Sequence, residues 1–219
     1  MRIVAVADTH LYHAELRVPQ GDVFIHAGDL CRSGELRELV RALDWMNELP
    51  HRHKLVVAGN HDWAFQREPE RARQYLGRVQ WLHDSALSID GISFWGSPWQ
   101  PEFGAWAFNL PRGAALADKW SLIPDAVDVL VTHSPPVGIG DNTKTNGRQG
   151  CEDLLARIEQ VRPRLHLFGH IHEDGGAWRV GETTHANVTT WECERAPTVI
   201  DLEPGAAAPV LIDVPARSR

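Results

Sequence analysis

Met1-Arg2-Ile3-Val4-Ala5-Val6-Ala7-Asp8-Thr9-His10 is a short apolar run that breaks abruptly into an aspartate and a histidine. A run of this length and β-branched content predicts a buried strand over Ile3 to Ala7, with Asp8 and His10 at its carboxyl end. The pattern recurs along the chain. Val23 to Ala27 runs into Gly28-Asp29, and Leu55 to Ala58 into Gly59-Asn60-His61-Asp62. Val127 to Thr132 runs into His133, and Leu165 to Phe168 into Gly169-His170-Ile171-His172. In open α/β sheets ligands bind at the carboxyl ends of parallel strands, so five separate segments are expected to converge on one point.

Helical stretches separate these strands, and Ile92 to Trp95 adds a further strand candidate, the alternation expected of an α/β domain with some parallel pairing. Leu36, Leu39, Val40, Leu43 and Met46 recur at helical spacing, with Ser33 as candidate N-cap and Pro50 as the stop. A second helix opens with Glu152 and Asp153, where acidic groups suit the helix dipole, and continues through Leu154, Leu155, Ile158 and Val161 to Pro163. A third is expected to begin at Pro69 and to end by Gly77. The end of the chain reads differently. Thr184 to Thr190, Thr198 to Leu202 and Val210 to Val214 follow one another with no helix between them, which predicts antiparallel strands and a second sheet. No repeat, low-complexity tract or linker divides the chain, so residues 1–219 are read as one domain.

The composition narrows the class. A chain of 219 residues with 43% hydrophobic content can bury roughly 70% of its unfolded surface in a sizeable core. Its net charge of -7 and pI of 5.9 oppose the basic footprint of a protein that grips nucleic-acid phosphates, so extended DNA or RNA is not an expected partner. Cys31, Cys151 and Cys193 are odd in number and far apart, suggesting neither a disulfide framework nor a thiolate zinc site and fitting a reducing cytoplasm. The apolar run before Asp8 is too short for a signal peptide, and no run reaches the roughly 18 residues of a membrane span. Five of the twelve histidines stand just beyond apolar runs.

Asp8, His10, Asp29, Asn60, His133, His170 and His172 offer carboxylates, imidazoles and one amide oxygen, a set suited to manganese, iron or zinc. Seven candidates exceed the needs of one tetrahedral ion, and an aspartate shared by two ions would hold them roughly 3.5 to 4 Å apart. Two divalent ions carry about +4, of which two carboxylates and a bridging hydroxide remove about 3, leaving a positive centre for an anionic substrate. Such ions would lower the pKa of a bridging water, present hydroxide for in-line attack and stabilise charge on a transferring phosphoryl group. His61, between Asn60 and Asp62, is placed to give a proton to the departing oxygen, since histidine exchanges protons near neutral pH. Asp62 is expected to orient it.

Asp8-x-His10, Gly28-Asp29, Gly59-Asn60-His61-Asp62, His133 and Gly169-His170-x-His172 together resemble the signature of the calcineurin-like metallophosphoesterases, complete and in order. The resemblance implies Asp8, His10, Asp29 and His172 around one metal and Asp29, Asn60, His133 and His170 around the other, with Asp29 bridging. It also implies a four-layer α/β (α+β) sandwich of two facing mixed β-sheets flanked by helices. Gly96-Ser97-Pro98-Trp99-Gln100-Pro101, Trp106-Ala107-Phe108-Asn109, Arg112-Gly113, Thr132-His133-Ser134-Pro135-Pro136 and Gly150-Cys151 are similar to the small class III phosphodiesterase group of metallophosphoesterase-domain proteins. That similarity implies a nucleotide phosphodiester as substrate, cyclic nucleotides included. Asp62 stands where that group usually carries glutamate, and Ser134 where it often carries glycine.

Other residues take plainer readings. His26, inside an apolar run, is read as a hydrogen-bonded strand histidine; His51, His53, His13, His83, His166 and His185 as exposed loop residues. Trp63, Trp99 and Trp106 are candidates for stacking on a base, with packing the commoner role. Arg112 and Arg148 are read as solvated. Substrate choice is expected to lie in the loops Ser97 to Gly113 and Gly138 to Gly150. His170-Ile171-His172-Glu173-Asp174-Gly175 comes within one residue of the HxHxDH pattern of metallo-β-lactamase-like hydrolases, but that reading leaves Asp8, Asp29 and Asn60 without a purpose. A non-catalytic metal-binding scaffold, a phosphomonoesterase and a phosphoprotein phosphatase are the competing functions. Oligomeric state is not encoded in these patterns.

Overall fold

Alternation along the central strands decides the layering. Ile3, Ala5, Ala7, Val23, Ile25, Leu55 and Val57 turn one way and meet Ile92, Phe94, Val129, Val131, Leu165 and Leu167 in a single dry core. The intervening residues Val4, Val6, Phe24 and Val56 turn the other way, onto a layer of helices. The computed structural model describes residues 1–215. Its strands are β1 (Arg2–Val6), β2 (Val23–Ala27), β3 (His53–Val57), β4 (Val79–Trp81), β5 (Ser85–Ile89) and β6 (Ile92–Ser97). They continue with β7 (Gln100–Pro101), β8 (Asn109–Leu110), β9 (Val129–Thr132), β10 (Asn142–Thr143), β11 (Gly147–Arg148) and β12 (Leu165–Phe168). The last are β13 (Gly176–Val180), β14 (Thr183–Asn187), β15 (Thr198–Asp201) and β16 (Val210–Asp213).

Two six-stranded mixed sheets face each other, one ordered β16-β15-β1-β2-β3-β4 and the other β13-β14-β12-β9-β6-β5. Strands β1 to β4 run parallel in the first, and β14, β12, β9 and β6 in the second. Helix α1 (Leu36–Glu48) packs Leu39, Leu43 and Met46 on the outer face of the first sheet, joined there by Ala64 and Phe65 of α2 (Trp63–Arg67) and Ala72 of α3 (Pro69–Arg73). Helices α4 (Ala114–Trp120) and α5 (Glu152–Val161) cover the second sheet with Leu116, Trp120, Leu154 and Ile158 against Trp95 and Leu130. The result is the four-layer sandwich.

Several local expectations change. Ser33 does not cap α1, which starts at Leu36; instead the N–H groups of Arg32, Ser33 and Gly34 and the Ser33 hydroxyl donate to the Glu38 carboxylate at 2.8–3.2 Å. The third helix begins at Pro69 as expected and is short, ending at Arg73. The C-terminal strands do not form a sheet of their own. Strand β14 lies parallel to β12 in the second sheet, whereas β15 returns antiparallel beside β1 and β16 edges the first sheet. The open edge of β1 is a long-range opportunity that local sequence does not announce. His13, His51, His166 and His185, read as exposed, are 1–3% exposed or fully buried. His26 does form the expected strand bond, to the Thr9 hydroxyl at 2.9 Å. Among the described residues no helix is long and apolar enough to cross a membrane.

Candidate metal centre

The carboxyl ends of β1, β2 and β3 from one sheet, and of β9 and β12 from the other, open at the same end of the sandwich. Where each strand stops, the chain turns sharply. Asp8, His10, Asp29 and His170 all adopt left-handed backbone conformations, with φ of 56, 42, 58 and 71°. Such conformations are uncommon for residues other than glycine, and their clustering at strand ends is strain of the kind that collects at functional sites. Glycines make the close approach possible. A Cβ on Gly59 would lie 2.3 Å from Asp29 Oδ1, and one on Gly169 would lie 2.7 Å from Asp8 Oδ2.

The histidines are oriented from behind. His10 Nδ1 pairs with the Cys31 carbonyl at 3.0 Å and His133 Nδ1 with the Ala27 carbonyl at 2.9 Å. A carbonyl only accepts, so each Nδ1 carries a proton and Nε2 is the atom turned to the centre. His10 Nε2 lies 3.8 Å and His133 Nε2 3.4 Å from Asp29 Oδ2, while His133 Nε2 is also 3.0 Å from Asn60 Oδ1. Asp29 Oδ1 accepts from the His61 N–H at 2.8 Å. Asp8 accepts from the His170 N–H at 3.0 Å, and its Oδ1 is 3.7 Å from His172 Nε2. Three groups therefore place ligand atoms within 4.8 Å of one another: Asp8, His10 and His172; His10, Asp29 and His61; Asp29, His133 and His170. Six of the seven residues expected as ligands fall in these groups, His10 and Asp29 each in two of them, and Asn60 joins through its contact with His133.

Electrostatics mark the same spot. Burial pushes the Asp8 and Asp29 carboxyls up, but His172 and His133 beside Asp8, and His133 and His10 beside Asp29, hold both well below the usual carboxylate range. Against its own burial, His133 is raised to about 9 by Asp29, and His172 is raised by Asp8. Burial, aided by the His133 charge, takes His170 down to about 3. Buried carboxylates whose ion-pair partners are imidazoles, with Nε2 atoms aimed inward, fit a divalent transition-metal ion.

His61 and Asp62 differ from expectation in one respect. His61 Nδ1 donates to the Arg32 carbonyl at 2.5 Å, and its ring lies 4.7 Å from that of His10 and 4.1 Å from that of Trp106. The Asp62 carboxylate, expected to orient His61, instead accepts the backbone N–H groups of Asp29, Leu30, Cys31 and Gly59 at 2.8–3.3 Å. It ties the loop after β2 to the loop after β3. Burial and the Asp29 charge raise its carboxyl, although the bonds from Gly59 and Cys31 oppose them.

A cleft of about 310 Å³ adjoins His170 and His172 and is walled by Glu102, Phe103, Arg112, Ser134, Asn146 and Gln149. Both loops expected to govern substrate choice contribute. Phe103 meets His170 edge-on at 5.1 Å, and Trp191, which sequence reading passed over, stands 6.2 Å from His172. Of the three tryptophans considered for stacking, only Trp106 reaches the centre; Trp99 donates to Asp84 and Trp63 lies under Arg67. Arg112 and Arg148 are exposed, as read, and also pin the loops they stand on. Arg112 donates to the carbonyls of Gln149 and Gly150, and Arg148 pairs with buried Asp141.

Residues 1–174 match the family model of the calcineurin-like phosphoesterases. The chain is 40% identical over 230 residues to human metallophosphoesterase domain-containing protein 1, covering 92% of this chain and 71% of that protein. Among solved structures it resembles TT1561 of Thermus thermophilus, with a TM-score of 0.63 at 16% identity over 100% of this chain and 99% of that one. It also resembles the phosphopantetheinyl hydrolase PptH of Mycobacterium tuberculosis, with a TM-score of 0.59 at 17% identity over 96% of each chain. At such identities the two structures speak for the fold.

Proposed function

Because the chain belongs to the calcineurin-like phosphoesterase family, we propose that it is a metal-dependent phosphodiesterase whose substrate is a nucleotide phosphodiester, cyclic nucleotides included. Asp8, His10, Asp29 and His172 would hold one divalent ion and Asp29, Asn60, His133 and His170 a second, the pair being manganese, iron or zinc. When bound, such ions supply Lewis acidity for water activation and for neutralising phosphoryl charge. The observation that carries the reading is the convergence of three ligand groups at one end of the sandwich, linked to one another through His10 and Asp29.

The chain's own residues divide the remaining work. Asp62 holds the two loops that carry Asp29 and Asn60, so their oxygens face the same point. The Arg32 carbonyl fixes the His61 ring through Nδ1, leaving Nε2 as the atom that gives its proton to the departing oxygen. Trp106 covers the ring of His61 and limits water access to it. The phosphate goes to the imidazole and carboxylate cluster, and the organic part of the ester to the adjoining cleft. Free Cys31, Cys151 and Cys193 are compatible with action in the reducing cytoplasm.

The test is hydrolysis of a chromogenic diester, a chromogenic monoester and cyclic nucleotides of both ring sizes, by chelator-treated protein before and after manganese is restored. Diester turnover that depends on added metal is the expected result. Monoester turnover alone would replace the diester reading. Two bound ions per chain with no turnover across the panel would favour a metal-binding scaffold.

A further inference from the structure

We propose that the cleft beside His170 and His172 is a nucleobase subsite in which the Phe103 ring stacks on the base and the Asn146 side chain reads its edge. The inference rests on the phosphodiesterase reading and specifies what the same site selects. The cleft's volume falls at the lower end of the roughly 300–1,000 Å³ range of small-ligand pockets. Apart from His170 and His172 of the metal-binding cluster, its charged lining is Glu102, Glu173 and Arg112, and Arg112 is already paired with Glu152 at 2.8 Å. That balance disfavours a second phosphate and suits an uncharged ring. The anionic part of a substrate is drawn instead to the metal-binding cluster next door.

The two recognition residues sit on braced supports. Phe103 is 39% exposed, unusual for a phenylalanine, yet its backbone is fixed. Its carbonyl and that of Gly104 accept from the Asn109 side chain, at 3.0 and 3.2 Å, across the ribbon formed by β7 and β8. Asn146 occupies the turn between β10 and β11, where its N–H donates to the Thr143 hydroxyl at 3.0 Å. Arg112 joins the two walls by donating to the carbonyls of Gln149 and Gly150. An exposed aromatic ring on a braced backbone, lining the same cleft as an amide, matches the way single bases are bound, by stacking plus edge hydrogen bonds. Preformed walls reduce the ordering cost of binding.

The experiment compares the para-nitrophenyl ester of thymidine monophosphate with methyl para-nitrophenyl phosphate. The leaving group is the same in both, so only the retained part differs. The manganese-loaded wild type is expected to prefer the nucleoside ester in kcat/KM. Phe103→Ala should lower that preference about tenfold or more, the scale of one base stacking on an aromatic ring, Phe103→Tyr should restore it, and Asn146→Ala should lower it severalfold. Equal turnover of both esters by the wild type, or an equal loss on both in Phe103→Ala, would overturn the subsite while leaving the phosphodiesterase reading intact. If neither ester is hydrolysed, the phosphodiesterase reading fails separately. Calorimetric titration of chelator-treated protein with adenosine monophosphate then decides the subsite: binding weakened about tenfold by Phe103→Ala upholds it, whereas no binding, or equal binding, refutes it.

Discussion

His61 and Asp29 share a hydrogen bond but are assigned different work, and substitution separates them. His61→Ala should retain two ions per chain by metal analysis and lose about 10²- to 10⁴-fold in turnover, the range of a general acid, with the larger loss on esters of poor leaving groups. Asp29→Ala should lose both ions and turnover. Full activity of His61→Ala on a poor leaving group would remove its role as acid. Asp62 allows a sharper distinction. Were it only an orienting partner of His61, Asp62→Ala would copy His61→Ala. Its bonds to four backbone N–H groups predict otherwise. Leaving those donors unpaired in a buried site costs roughly 1–3 kcal/mol each before relaxation. Asp62→Ala should therefore bind fewer ions and melt at a lower temperature, outcomes that metal analysis and calorimetry report directly.

At the scale of elements, stability should follow which faces the two sheets bury. Leu43 is fully buried between α1 and the first sheet, so Leu43→Ala should cost about 2–5 kcal/mol in denaturant unfolding. Leu211, on edge strand β16, is 41% exposed, and Leu211→Ala should cost less than about 0.5 kcal/mol. Comparable losses at the two positions would mean that the edge strand is packed against something in solution. The same contrast explains what sequence reading could see. Strands β1, β2, β3, β9 and β12 were legible because an apolar run ending in Asp, Asn or His is a local signal. Strands β4, β5 and β13, and the sheet joined by β15, were not, because short half-exposed strands take their identity from distant partners. The ligand set was legible as residue types at strand ends. The role of Asp62 was not, because its partners are backbone N–H groups that no residue type encodes.

For the whole molecule, buried histidines outside the metal centre set the response to pH. Burial lowers His13 and His185 to about 4 and His26 to about 3, and burial with the neighbouring His185 lowers His166 as well. The unfolded chain protonates these groups near 6.5 while the native chain does not, so stability falls as pH drops from about 6.5 toward 4. Each histidine contributes a slope of up to about 1.4 kcal/mol per pH unit in that window. His133 has the opposite sign. Its native value of about 9 lies above 6.5, so its contribution is fully present below 6.5 and is lost as pH rises through 9. Chelator-treated protein should therefore be most stable near pH 6.5 and decline on both sides. A metal ion requires the unprotonated His133 imidazole, so loading with manganese should remove the alkaline decline and leave the acid one. Urea unfolding from pH 5 to 9, with and without manganese, should show the stability gained from metal widening steadily above pH 7. A gain that stays flat or shrinks over that range would mean that His133 is not a ligand, and the second ion would lose its most buried imidazole.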